Sequence, residues 1–228
     1  IMRANVTNSN QDVGGSLGNV SAQMSIHGSR TRDQQILVDG MNVTSAHVNS
    51  VSSFNPQDGN VEEFTILAGA NPAEAETGGV RVNLVPREGS NNLLGQLFFS
   101  GMNRRFQSDN MDDDLRTRGL IAPNKVKVQA DFGATLGGPI ARDRVWFFGA
   151  YRYFKNDRDV GGVFQNADPK ARRFVPDTSR PGVQDTSQWD TNGRLTWKAS
   201  EKNKVNGFFD YNYQCDCHRY ISATTAPV

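Results

Sequence analysis

Two clusters in this chain hold residue types that bind metal. Cys215-Asp216-Cys217-His218 offers two sulfurs and an imidazole, donors that zinc accepts. Asp109, Asp112, Asp113 and Asp114 offer carboxylate oxygens, which hard cations such as calcium prefer. Spacing weighs against both. In an extended strand Cys215 and Cys217 share a face and His218 points away, and two ligands on one face do not make a site of four. Loop backbone would have to turn them together. The aspartates lack the spacing of a calcium loop and read as a solvated loop. Catalytic patterns are absent as well: no nucleophile elbow, no His-Glu-x-x-His, no phosphate loop, and three histidines without a convergent acid–base set. No enzyme, metal site or cofactor is expected.

The informative residues are those that repeat with a period of two. From 126 to 136, Val126, Val128, Ala130, Phe132, Ala134 and Leu136 alternate with Lys127, Gln129, Asp131, Gly133 and Thr135. A strand sends alternate side chains to opposite faces, so this segment has one apolar and one polar face. Its length suits a tilted strand crossing a bilayer, which takes about 9–11 residues. The apolar set is read as lipid-facing; Lys127, Gln129, Asp131 and Thr135 are read as lumen-facing.

Bulk composition agrees. The net charge of the 228 residues is +1, and no basic patch interleaves with aromatics, so nucleic acid is not a partner. No run approaches 18 apolar residues, so no transmembrane helix is expected. A hydrophilic average still fits a barrel, because half of each strand faces a polar lumen. Two cysteines argue against a disulfide scaffold. The chain opens on Ile1 with no signal-like core and reads as a piece of a longer, processed protein.

The chain divides near residue 88. The first section reads as a small α+β domain over 1–88. An irregular start to about residue 20 is followed by β-like runs at 23–27, 35–38, 61–67 and 80–85. Asp39-Gly40 is a turn signal. Residues 45–60 read as loop, and Asn71-Pro72 is read as opening one helical turn. From 89 to 228 the texture becomes long strands: 93–104, with Leu97, Phe99 and Gly101 on one face and Phe98 blurring the alternation, then 126–136, 144–155, 189–198 and 205–215. Short turns at 137–143 and 199–203 alternate with long polar connections at 105–124 and 156–188. Long loops at one end and tight turns at the other match the extracellular and periplasmic ends of an outer-membrane barrel, and Trp and Tyr near strand ends suit an aromatic girdle. Five strands cannot close such a barrel, and lipid tolerates no open sheet edge, so further strands are expected elsewhere.

The order of these pieces resembles TonB-dependent outer-membrane receptors, a plug followed by the first barrel strands. Ser25-Ile26-His27-Gly28, Leu37-Val38-Asp39-Gly40, Val61-Glu62-Glu63-Phe64, Glu74 through Gly78-Gly79, and Val80 to Val85 carry the plug resemblance. Asp131 to Ile140 and Asp143 to Gly149 look like the Oar-like branch, which typically carries a carboxypeptidase-regulatory-like domain upstream. The resemblance covers about residues 23 to 155. It implies a plug lodged in a barrel of about 22 strands. It also implies ligand uptake energised by TonB, with outer-membrane lipid, TonB and an unidentified ligand as partners. His27 stands where the family's plug usually has arginine, and the TonB box expected upstream is not in this chain.

Other charged groups have bland readings. Lys170, Arg172, Arg173 and Arg180 tint one long loop basic, which suits a solvated loop more than headgroup binding. Glu62, Glu63 and Arg81 either face water or pair with the barrel wall. Asn5-Val6-Thr7 and Asn42-Val43-Thr44 match a glycosylation pattern that is incidental in a bacterial protein. Two rivals remain: a structural or adhesive barrel that binds through its long loops, and a soluble β-sandwich binding module, which the loop asymmetry disfavours.

Overall fold

The structure, a computed structural model, describes residues 5–7, 23–26, 28–44, 58–69, 71–109, 111–168, 170, 172–218 and 221. His27 and residues 45–57 of the expected loop lie outside them.

A small mixed sheet comes first. It comprises β3 (Gln35–Val38), β4 (Met41–Asn42), β5 (Val61–Leu67) and β6 (Arg81–Pro86), in the order β4-β3-β6-β5. The short pair β1 (Asn5–Thr7) and β2 (Gln23–Ser25) is antiparallel. β3 and β6 run parallel, and β6 alternates buried and half-buried residues. Asp39 (φ 48°) and Gly40 (φ 80°) both take positive φ between β3 and β4. That is the two-residue hairpin turn whose twist matches the strands, and Asn, Asp and Gly tolerate it best. Ile36, Val38, Val61 and Leu84 form one core; Ile26, Val80 and Val82 form a second. Burying a side chain such as Leu84 is worth about 1.5–3 kcal/mol. The helical turn expected from Asn71 does not form. Asn71 Nδ2 instead donates to the Thr77 and Gly79 carbonyls, 3.1 and 2.8 Å away, so the amide organises a loop rather than capping a helix.

The second sheet is a five-stranded antiparallel meander: β7 (Leu94–Asn103), β8 (Lys125–Ala141), β9 (Val145–Asn166), β10 (Pro176–Ser200) and β11 (Asn203–Asp216). It is open. A short helix, α1 (Asp113–Thr117), lies in the β7–β8 connection. All five strands form where alternation predicts them, but three run further than it shows. β8 continues through Gly137-Gly138-Pro139, so the turn expected at 137–143 shrinks to Arg142–Arg144, with Asp143 at φ 61°. The connection expected at 156–188 is largely a hairpin, because β9 runs to Asn166 and β10 resumes at Pro176. Both faces of that extension are largely polar, so it has no apolar period to read; only its backbone ladder marks it as β. Register shifts around Pro181, which has no N–H to give the ladder, accommodate the proline.

Candidate functional site

Cross-strand registration aligns the meander in rows. One face carries Phe99, Phe132, Tyr153, Trp189 and Tyr213 across the five strands. Eight residues further along, Val145, Trp197 and Val205 form another row on that face. Eight residues span about 26 Å of strand, or roughly 20 Å of thickness at a usual barrel tilt. Two aromatic-bearing rows thus bound an apolar band, as the girdles of membrane barrels do. The large side chains there are exposed: Leu97 and Phe99 at 76%, Trp197 at 51%. Trp189 contacts the Tyr211 ring at 5.0 Å between centroids, and Phe132 contacts Tyr151 at 6.4 Å.

The opposite face mixes charged and amide side chains with inward aromatics such as Phe98, Phe148 and Phe154, and it carries the small sheet. Arg194 on β10 is its anchor, with a side chain only 6% exposed. Its Nη1 donates to Asp39 Oδ2 at 2.8 Å, and its Nη2 donates to Glu88 Oε1 at 2.9 Å. Lys204 Nζ holds the other Glu88 oxygen at 2.5 Å. Two cations and two anions balance there. Phe208, on the same face of β11, packs against the core of Ile36, Val38, Val61 and Leu84. The link after β6 is fixed too. Asn91 Nδ2 donates to Asp143 Oδ1 at 2.6 Å, while Asn91 Oδ1 accepts from Trp146 Nε1 at 2.7 Å. The face that carries the small sheet is termed inner, and the one with the exposed apolar rows outer.

Along β8 the alternation holds from Val128 onward. Val128, Phe132 and Leu136 are exposed on the outer face, with Ala130 and Ala134 half-buried in the same row system. Val126 departs from the expectation. A bulge at Lys127 sets Val126 opposite Arg158 while Val128 faces Asp157, which breaks the parity, and Val126 is 2% exposed. Lys127 is therefore the bulged residue rather than part of a clean inner row. Gln129, Asp131 and Thr135 fall on the inner side, and Arg152 grips Asp131 with two bonds, at 2.9 and 2.7 Å. Phe98, which blurs the alternation of its strand, points inward over Gly133, where a Cβ would stand 2.0 Å from the ring.

Among the expected plug positions, Val38 is core, and Asp39 and Gly40 form the turn that meets Arg194. Gly40 N donates to Asn83 Oδ1 at 2.9 Å. Gly28 has φ 79° and Gly78 is exposed. Gly79 is packed so closely that a Cβ would lie 2.3 Å from the Asp33 carbonyl oxygen. Glu62 meets Arg87 at 3.5 Å, and Glu63 accepts from Thr65 Oγ1 at 3.3 Å; both are exposed. Arg194 itself carried no motif and was invisible to pattern reading.

The two metal-like clusters resolve differently. Cys215 and Cys217 are bonded to each other, with Cα atoms 5.0 Å apart, because β11 ends at Asp216 and the chain turns. The pairing joins the two sulfurs that the strand reading placed side by side on one face. His218 Nδ1 sits 2.6 Å from Asp185 Oδ1. In the β7–β8 connection Asp112 caps α1 through Leu115 N, Asp113 pairs with Arg116, Asp114 with Arg118, and Asp109 with Lys125. The Met111 N–H and the Lys125 ammonium hold the Asp109 carboxyl below its ordinary range.

Comparison with known proteins fits this geometry. Residues 85–179 match a family described as an outer membrane beta barrel domain. The TonB-dependent transporter Oar of Myxococcus xanthus is 27% identical over 199 residues, covering 80% of this chain. This chain is homologous to that transporter. It is an outer-membrane protein, and it spans 18% of the length of the Myxococcus relative. Its fold matches the ferric enterobactin receptor PfeA of Pseudomonas aeruginosa. A mutant of that receptor in complex with enterobactin aligns with TM-score 0.53 and 16% identity, over 92% of this chain and 29% of the receptor. A second mutant aligns with the same TM-score and 17% identity over 94% and 29%. These relatives are transporters and receptors rather than enzymes.

Proposed function

We propose that this chain is the plug and adjoining wall of a receptor that takes up a ligand across the outer membrane with energy delivered through TonB. The observation that carries the reading is the seat of the small sheet. Its Asp39-Gly40 turn and Glu88 meet Arg194 on the polar face, while the other face is apolar and aromatic-edged. A barrel wall must have this sidedness, lipid outside and filled lumen inside. Residues 1–88 act as the plug and 89–228 supply wall strands, with further strands of the parent protein closing the sheet. The tight turns at 142–144 and 201–202 mark the periplasmic end. The β7–β8 connection and the β9–β10 hairpin mark the outside. The chain acts by binding and gating, not by catalysis. Ligand binding above the plug and a pull from the periplasm would remodel the small sheet and open a path along the inner wall.

Stoichiometric binding of the purified periplasmic domain of TonB to the full-length receptor is the test. Saturable binding at micromolar concentrations is expected. A folded receptor that binds none would leave the adhesive barrel. That second reading draws on the β9–β10 hairpin, whose tip exposes Phe174 and Val175 beside Arg172 and Arg173.

A further inference from the structure

We propose that the tip of the β9–β10 hairpin binds an acidic polysaccharide at the cell surface, through Lys170, Arg172 and Arg173 with Phe174 and Val175 beside them. The two strands close on each other at Asn166 and Pro176. The Val175 N–H donates to Asn166 Oδ1 at 3.0 Å, and the Ala167 N–H donates to the Val175 carbonyl at 2.8 Å. Arg180 Nη2 braces the same neck by donating to the Asn166 carbonyl at 3.1 Å. The base of the tip is thus fixed before any partner arrives, which lowers the ordering cost of binding.

Charge makes the first argument. Lys170, Arg172 and Arg173 are exposed, and among the described residues none of them forms an ion pair. Between 168 and 175 they stand against one carboxylate, Asp168, whose Oδ1 accepts from the Lys170 N–H. The next carboxylate, Asp177, is committed to Arg180 at 2.6 Å and to Ser179. Two of the three cations are arginines, whose planar fork meets a carboxylate or phosphate with two bonds. Phe174 and Val175 are half exposed beside them. That apolar surface suits the C–H face of a sugar ring.

Reach makes the second. β9 continues from Tyr153, in the aromatic row, to Asn166 at the neck. That stretch is about 43 Å of strand, or roughly 33 Å of height at a usual barrel tilt. The headgroup zone adds only about 5–7 Å beyond the hydrocarbon. The tip therefore stands clear of the phosphates of its own leaflet, in the layer of sugars that the outer surface carries. Size then separates a glycan from a protein. A stable protein interface engages about 20–30 residues a side, far more than five side chains. A repeating acidic saccharide needs only a short contact, because many receptors on one surface engage it at once. The inference rests on the outer placement of this hairpin and names a partner class for the adhesive reading; it does not need TonB to drive transport.

The experiment uses the full-length receptor in detergent and labelled polygalacturonate as the probe. Saturable binding that weakens as salt rises is expected. Arg172→Ala/Arg173→Ala should weaken it about tenfold or more, and Arg172→Lys/Arg173→Lys, which keeps the charge and loses the fork, should weaken it less. Phe174→Ala should weaken it with the salt dependence unchanged. Arg142→Ala/Lys202→Ala, in the opposite turns, should leave it unchanged, and heat-modifiable migration on gels verifies that each variant is folded. No binding, or binding that the Arg172→Ala/Arg173→Ala variant keeps, would overturn the proposal. Equal affinity for polyglutamate, or tighter binding to phosphatidylglycerol vesicles, would overturn it in favour of an acidic protein or a lipid surface. Placement is checked separately, by labelling Thr178→Cys in intact cells with a membrane-impermeant maleimide. Labelling without polygalacturonate binding overturns the partner alone; binding without labelling overturns the outer placement and the surface partner together.

Discussion

Arg194 Nη1 and Asp39 Oδ2 lie 2.8 Å apart across 155 residues of sequence. The pair joins the wall strand β10 to the tightest turn of the small sheet. The guanidinium is nearly buried, while its two carboxylate partners keep a third of their exposure.

Removing the guanidinium should loosen the small sheet. Arg194→Ala leaves Asp39 and Glu88 facing a wall without their partner. A fully buried broken pair loses about 3–5 kcal/mol; partial exposure here brings the expected loss to roughly 2–3 kcal/mol. Hydrogen exchange on the full-length receptor should show faster exchange in β3 and β6, with β9 and β10 unchanged. Uniform protection across both sheets would mean that the contact holds nothing.

Depth should set the penalty for charge on the outer face. Phe209 lies midway between Val205 and Tyr213 along β11, whereas Phe132 shares the aromatic row with Tyr153. Phe209→Arg should lose about 2–4 kcal/mol and Phe132→Arg about 0–1 kcal/mol, with Ser100→Asp on the inner face mild. Refolding titrations into vesicles give the order. Equal losses at Phe209 and Ser100 would reverse the assigned faces.

Gly133 and Phe98 should be coupled. Gly133→Ala forces a methyl into the ring, an overpacking expected to lose about 1–3 kcal/mol. Phe98→Ala should absorb most of that loss in the double variant. Additive losses would show that Phe98 does not rest on Gly133.

Cys215 and Cys217 should be silent to alkylation until reduced. Mass spectrometry of the folded receptor should show no adduct without reductant and two after it. Two adducts beforehand would contradict the bond between them.

Much of this was legible in the residues. Alternation located all five wall strands, because an apolar face and a polar face leave a period of two, and Asp39-Gly40 announced its turn through the positive φ it tolerates. What stayed hidden has physical causes. The β9–β10 extension is held by backbone bonds with both faces largely wet, so side chains do not record it. The bulge at Lys127 moves Val126 off its row without changing any residue type. Asn71 looked like a helix cap because a short polar side chain serves a loop equally well. Arg194 is one arginine on the polar side of a strand, and nothing in sequence says that Asp39 lies across from it.

The central claim is that residues 1–88 fill a lumen that the wall encloses. The link from Arg87 to Leu93 reaches at most about 25 Å, and Asn91 pins it to Asp143 and Trp146. Planar-bilayer conductance of the full-length receptor, with and without residues 1–88, tests it most directly. The account predicts a large, ligand-independent current in the deletion variant that the intact receptor lacks. A properly folded deletion barrel with unchanged conductance would contradict it.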